Sequence, residues 1–81
     1  MSEFLGVHKV PAEMTEGDVT EGFNSYKEAA SKMGLKASHA HFSLEKGFAY
    51  CLTEASSADE VRKAHENVAI PLEDVTEVKT I

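Results

Sequence analysis

The chain has few of the residues that build cross-linked or membrane-spanning proteins. Cys51 is its one cysteine, so no disulfide can form within the chain, and a lone thiol is typical of a reducing cytoplasm. No apolar run approaches the ~20 residues that span a membrane, and the first residues have neither the basic start nor the apolar stretch of a signal peptide. We therefore expect a cytoplasmic protein that does not bind membranes.

Positive charge is also scarce. Lys and Arg together number 8 against 14 Asp and Glu, which gives a formal net charge of −6 at pH 7. Because nucleic-acid phosphates favour clustered Lys and Arg, this balance argues against a nucleic-acid partner. Acidity would suit a cation, but in small domains it commonly serves solubility. The sequence contains no glycine-rich phosphate loop, catalytic carboxylate dyad or Ser-His-Asp order.

The spacing of apolar residues predicts a single domain over residues 1–81 that begins with a strand and a helix. Alternation predicts the strand over 4–10. Thr15 and Asp18 have the spacing of a capping box at the start of the helix, and Gly34 is a natural end for it. One apolar stripe runs along this helix, formed by Val19, Phe23, Tyr26, Ala30 and Met33.

The second half of the chain predicts a hairpin, a second helix and a last strand. Ser57 and Glu60 form another capping-box pattern, and the last strand starts at Val75. The inner side of the second helix consists of Val61, Ala64, His65 and Val68. The order β-α-β-β-α-β predicts an α+β, ferredoxin-like fold: a four-stranded antiparallel sheet with both helices on one face.

The hairpin register decides which side chains share a face of the sheet. Glu45-Lys46-Gly47 predicts a three-residue loop with glycine at positive φ. That loop places Leu44, Phe42 and Ala40 opposite Phe48, Tyr50 and Leu52. On the other face it pairs His41 with Cys51 and His39 with Thr53. A two-residue loop would mix apolar and polar side chains on both faces, so we disfavour that register.

This register also predicts which face the helices cover. The helix-covered face would carry Leu5, Val7, Phe42, Tyr50, Leu52 and Val78. The uncovered face would gather His8, His39 and His41 around Cys51, and such a face invites a second subunit. His65 would lie beyond the sheet from Cys51, as a core-edge histidine hydrogen-bonded to Tyr50 or to a backbone carbonyl.

The gathered residues are candidate ligands for a divalent transition metal. We expect His39, His41 and Cys51 as primary ligands and His8 as the next, because residues that face each other have Cβ atoms about 4.5–5.5 Å apart. Imidazole and thiolate donors suit Zn, Ni and Cu. The alternative is that these side chains are polar residues tolerated on a dimer surface. Cys51 as a nucleophile activated by His41 lacks a third, orienting group.

A second class of function is an enzyme with a pocket between helices and sheet. His65 and Tyr50 would supply the polar groups of that pocket and Glu54 would lie at its mouth. Dimeric ferredoxin-like isomerases and cofactor-free oxygenases are the fold-level analogy. A third possibility is a purely structural dimerisation module. Of these three functions, we favour the metal-binding protein that does not catalyse a reaction.

The carboxyl-terminal half resembles a known family. The run 50–55 (YCLTEA) and the later segments 61–65 and 71–78 are similar to a family of small bacterial ferredoxin-like domains of largely unknown function, some described as nickel-binding. The resemblance implies nickel as the metal and a homodimer formed through the uncovered sheet face. We therefore expect a small homodimeric protein that binds a divalent transition metal.

Overall fold

The computed structural model of the chain describes residues 2–81, and six elements follow one another in the predicted order. The elements are β1 (Ser2–Lys9), α1 (Glu16–Lys32), β2 (Lys36–Ser43), β3 (Phe48–Ala55), α2 (Ala58–Glu66) and β4 (Asp74–Val78). The strands form one antiparallel sheet in the spatial order β2-β3-β1-β4. This is the ferredoxin-like arrangement, so the predicted fold is confirmed.

Local sequence signals determine both ends of α1. The Thr15 hydroxyl accepts a hydrogen bond from the Asp18 N–H at 3.1 Å, and the Asp18 carboxylate accepts one from the Thr15 N–H at 3.0 Å. At the other end Gly34 has φ +79°, and the N–H of Leu35 donates to the Ala30 carbonyl at 2.9 Å. The predicted capping box and glycine stop are therefore confirmed.

The cap of α2 differs from the prediction in one contact. The Ser57 hydroxyl accepts from the Glu60 N–H at 3.4 Å, as expected. The Glu60 carboxylate, however, accepts from the N–H of Ser56 at 2.9 Å. Its side chain thus reaches one residue further back than a capping box requires.

The hairpin register differs from the predicted one. The structure pairs His41 with Tyr50 and Ala40 with Cys51, so the prediction that His41 lies opposite Cys51 is wrong. Residues 44–47 connect the strands, where the N–H of Gly47 donates to the Ser43 carbonyl at 2.8 Å. The glycine does have positive φ, +75°, as the loop signal indicated.

The predicted register is wrong because β2 is an edge strand, and the large apolar residues at its hairpin end and in the loop need no full burial. Phe42 is 37% exposed and Leu44 is 41% exposed. Because these side chains bury little apolar surface, the hydrophobic pattern specifies the register of β2 against β3 only weakly. A further irregularity between Ala37 and His39 moves His39 opposite Leu52 rather than Thr53.

The covered and uncovered faces of the sheet are the reverse of the prediction. The helices cover a face on which every strand residue of β1 and β3 that is buried, apart from Phe4, is small: Gly6, Ala49, Cys51, Thr53 and Ala55. The open face carries Leu5, Val7, Tyr50, Leu52 and Val78, all partly buried and all predicted to face the helices. Phe42, which pairs with Ala49, lies at the edge of the covered face.

Side-chain size accounts for this reversal. The helices bring large side chains to the interface: Tyr26 is 1% exposed, and Val61 is fully buried. Small residues on the sheet leave room for them, since interiors fill to constant density. The predicted stripe on α1 is confirmed in Tyr26 and Ala30, with Phe23 and Met33 packed alongside. Within residues 2–81, neither helix has the length and apolar character needed to cross a membrane.

Candidate metal centre

Three potential ligands meet beneath the helices. His8 lies on β1, Cys51 on β3 and His65 on α2. The Nε2 atoms of His8 and His65 lie 3.3 and 3.4 Å from the Cys51 sulfur. All three candidate ligand atoms lie within 4.8 Å of one another, and no other group of three His, Cys, Asp or Glu side chains in the described residues meets that spacing. A single ion placed among them would contact two imidazoles and a thiolate.

Backbone carbonyls fix the tautomer of each imidazole. The His8 Nδ1 lies 3.0 Å from the Pro71 carbonyl oxygen, and the His65 Nδ1 lies 2.7 Å from that of Val61. A carbonyl only accepts, so each Nδ1 carries the proton and donates it. Each Nε2 therefore presents a lone pair towards Cys51. Ligating histidines are held in this way, with the second nitrogen donating to a backbone or carboxylate oxygen.

The thiol proton cannot satisfy both nitrogens. Cys51 carries one S–H donor, whereas His8 and His65 each present an acceptor to it. One lone pair therefore faces the sulfur with no hydrogen between them. A cation would satisfy both lone pairs and the sulfur together, so this donor set fits a metal ion.

Burial keeps the cluster neutral in the metal-free protein. It raises the pKa of Cys51 to about 11 and lowers the pKa of His65 to about 4, and it also lowers the pKa of His8. Neutral imidazole is the form that ligates, whereas the thiol must lose its proton when a metal binds. A thiol with so high a pKa is also a poor nucleophile, which disfavours catalysis by Cys51.

Tyr26 and Gly6 define the space around the cluster. The Tyr26 ring stacks on His65 with ring centroids 3.9 Å apart, and its hydroxyl is hydrogen-bonded to Thr53. Burial raises the pKa of Tyr26 to about 12, so its hydroxyl stays protonated. A Cβ at Gly6 would lie 2.8 Å from the Cys51 sulfur and 3.7 Å from His65 Cε1. Glycine at this position therefore leaves room for the sulfur and the adjacent imidazole.

The sheet separates the other predicted ligands from this cluster. His39 and His41 lie on the open face, opposite Leu52 and Tyr50, with ring centroids 6.4 Å apart. The prediction that they share a face with Cys51 is wrong, because the register is shifted by one residue. Metal binding by these two histidines stays a prediction for a separate location. Of the four predicted ligands, the structure brings together His8 and Cys51.

His65 is the third ligand candidate, and the sequence does not predict it as a ligand because Cys51 was expected on the other face of the sheet. It was correctly assigned to the inner side of α2, where it is 1% exposed. The prediction that the sheet separates it from Cys51 is wrong, because the inverted faces put Cys51 beneath the helices. The useful signal was Gly6 opposite Cys51: two small residues side by side mark where a helix side chain can approach.

A cavity of about 290 Å³ adjoins the cluster, between α1 and the sheet. Its wall includes His8, Cys51 and His65, and Tyr50 also contributes to it. A pocket beside His65 was expected, but Glu54 does not line it and lies 3.9 Å from the Lys36 ammonium instead. His65 donates to the Val61 backbone carbonyl, which confirms one of its two predicted partners, and its ring stacks on Tyr26 rather than bonding to Tyr50.

The fold and the cluster define a class: a small ferredoxin-like α+β domain with a largely buried His-Cys-His group suited to a transition metal. The chain belongs to the family of SCO4226-like nickel responsive proteins, whose family model matches residues 4–78. This confirms the resemblance seen in the sequence.

The chain is similar to the crystal structure of SCO4226 from Streptomyces coelicolor A3(2), with a TM-score of 0.89, 21% sequence identity and 99% of each chain covered. At that identity the likeness establishes the fold. No curated protein matches the chain.

Proposed function

We propose that this protein binds a divalent transition metal, nickel in the first place, through His8, Cys51 and His65, without catalysing a reaction. The observation that supports this most directly is the pair of preset Nε2 lone pairs, both directed at one thiol. The family to which the chain belongs is described as nickel responsive, which favours nickel over other ions. Imidazole and thiolate donors suit nickel, zinc and copper alike.

Each residue has a separate task in binding. His8 and His65 donate through Nε2 while their Nδ1–H groups stay bonded to backbone carbonyls. Cys51 gives up its proton and donates as thiolate, and the ion supplies the positive charge that stabilises this thiolate. Because burial leaves both imidazoles neutral, no proton has to leave them first.

Titration calorimetry with Ni²⁺ and Zn²⁺ on the untagged protein tests this function. Cys51→Ser keeps the size of the side chain but removes the thiolate, and we expect it to weaken Ni²⁺ binding by about 100-fold or more. The wild-type complex should also show a thiolate-to-nickel charge-transfer band in the near ultraviolet, which the variant lacks.

His41→Ala is the matched control, because this histidine lies on the opposite face of the sheet. It should leave the affinity and the absorption band unchanged. Unchanged Ni²⁺ affinity in a folded Cys51→Ser variant would exclude the proposed site. Loss of binding in His41→Ala alone would move the site to the open face, where His39 and His41 were first predicted to act.

We also propose that two copies associate through the open sheet face. Leu5, Val7 and Leu52 lie on that face, and neither helix of residues 2–81 covers it. A contiguous apolar sheet face is a common association surface in small domains.

We also propose that the protein is located in the cytoplasm. Cys51 is a free and buried thiol, which is consistent with a reducing compartment.

A further inference from the structure

The three protein donors are too few to complete the coordination of a transition metal. Tetrahedral ions take four ligands, and square-planar or octahedral nickel takes four or six. Among the described residues no fourth His, Cys, Asp or Glu joins His8, Cys51 and His65. At least one ligand must therefore come from outside the side chains of this cluster. The adjoining cavity is the space from which it can come.

The walls of that cavity are mainly apolar. They include Val10, Met14, Val19, Phe23, Ala40 and Ile70. The volume of about 290 Å³ lies just below the range of about 300–1,000 Å³ for small-molecule sites. Such sites combine an apolar wall with a few convergent polar groups, and the cluster provides that polar end. The cavity is partly open to solvent, so a small molecule can enter it.

We propose that the cavity takes a small, largely apolar organic molecule with one nitrogen or sulfur donor atom, which supplies a ligand that the protein lacks. The apolar body would lie against α1, and the donor would lie at the wall formed by His8, Cys51 and His65. This inference rests on the proposed metal binding. It makes the bound species a metal together with an organic ligand rather than a hydrated ion.

Gly22 offers a way to close the cavity without touching the cluster. It lies on α1 and lines the cavity, and a Cβ built there meets no atom within 4 Å. We therefore expect the helix to accommodate a leucine at this position without strain, and we expect its side chain to narrow the cavity that Gly22 lines. Gly17 lies on the same helix outside the cavity, where a Cβ meets only the Thr15 hydroxyl at 3.6 Å. Gly17→Leu is thus the matched control for Gly22→Leu.

The test uses phenylimidazole, which joins an imidazole donor to an apolar ring, and imidazole itself as the probe without that ring. Each is titrated by calorimetry into nickel-loaded and metal-free protein, while the near-ultraviolet nickel band is followed. We expect phenylimidazole to bind the loaded wild type at least about tenfold more tightly than imidazole, because its ring is buried. Gly22→Leu should remove this advantage, and Gly17→Leu should keep it.

The outcomes separate the two proposals. Equal affinities of the two probes, or an undiminished advantage in Gly22→Leu, would overturn the organic ligand while a normal nickel band leaves metal binding intact. Equal binding of phenylimidazole to metal-free and loaded protein would overturn the role of its donor atom. If nickel does not bind and no thiolate band forms, the proposed function fails, and the inference that rests on it fails too.

Discussion

Cys51 lies between two imidazole nitrogens that both present lone pairs, and its single thiol proton can serve only one of them. The arrangement depends on two backbone carbonyls, of Val61 and Pro71, which hold the protons on the far side of each ring. Because Cys51 and His65 are almost fully buried, water cannot easily relieve the mismatch. At the scale of single residues, the two Nε2 lone pairs are therefore already oriented for a cation in the metal-free protein.

The burial of His65 should make the metal-free protein sensitive to acid. Its ordinary pKa of 6.5 applies in the unfolded chain, whereas burial lowers the pKa to about 4 in the folded protein. As the pH falls below 6.5, the unfolded chain takes up the proton first. Folding therefore keeps its full stability above about pH 6.5 and loses up to roughly 3 kcal/mol as the pH approaches 4.

Urea unfolding of the metal-free protein, with chelator present, measures this dependence between pH 7.5 and 4. In the variant His65→Gln the amide can still donate to the Val61 carbonyl but does not titrate. We expect a shallower fall in unfolding free energy in the variant than in the wild type over this window. Parallel curves for the two proteins would contradict the lowered pKa of His65.

At the scale of elements, the helices are determined locally, whereas the hairpin depends on its neighbours. The α1 helix has a reciprocal cap at Thr15 and Asp18 and a glycine at positive φ at its end. The edge strand β2, by contrast, contacts the rest of the sheet through β3 alone. Its one large apolar residue, Phe42, stays exposed, so few contacts near the hairpin loop resist a one-residue shift in register.

One glycine within α1 and one just after its end should change the free energy of unfolding in opposite directions when each is replaced by alanine. Gly34→Ala places a Cβ in the left-handed region, at φ +79°, and should lower the unfolding free energy by roughly 1–2 kcal/mol. Gly22→Ala lies inside the helix, where the added Cβ meets nothing, and should raise it by roughly 0.5–1 kcal/mol. Urea unfolding at pH 7.5 compares the two. Destabilisation by Gly22→Ala as large as that by Gly34→Ala would refute this account.

At the scale of the whole molecule, the two faces of the sheet separate two tasks. The covered face holds the His-Cys-His cluster and its cavity, and the open face holds the apolar surface that we propose for association. Leu52 and Cys51 are neighbours in sequence but lie on opposite sides of the sheet. Metal binding and association should therefore be separable by mutation.

Leu52→Glu tests this separation. A carboxylate on the open face should not be tolerated in a buried interface, so we expect the variant to be a monomer and the wild type a dimer in sedimentation velocity. Its affinity for Ni²⁺ should stay within about threefold of the wild type, because the cluster lies on the other face. Leu44→Glu, in the exposed hairpin loop, is the control and should remain dimeric. A monomeric wild type would remove the proposed interface.

The sequence by itself determined the order of the elements, the caps of α1, the apolar stripe on that helix and the positive φ at Gly47. These features depend on residues close together in the chain, through helix periodicity, capping hydrogen bonds and the freedom of glycine. Alternation along β3 also established that Cys51 and Thr53 share a face. It could not tell which face the helices would cover.

Tertiary packing determines which face of the sheet the helices cover. The helices contribute large side chains, such as Tyr26 and His65, so they pack on the face where Gly6 and Cys51 leave room, although larger apolar residues line the other face. The register of β2 was decided in the same way, by contacts with β3 that the pattern alone does not specify. The choice of face brings His65 to Cys51, and the register of β2 leaves His41 on the far side of the sheet. Only the folded layers determine which small residues lie beneath which large ones.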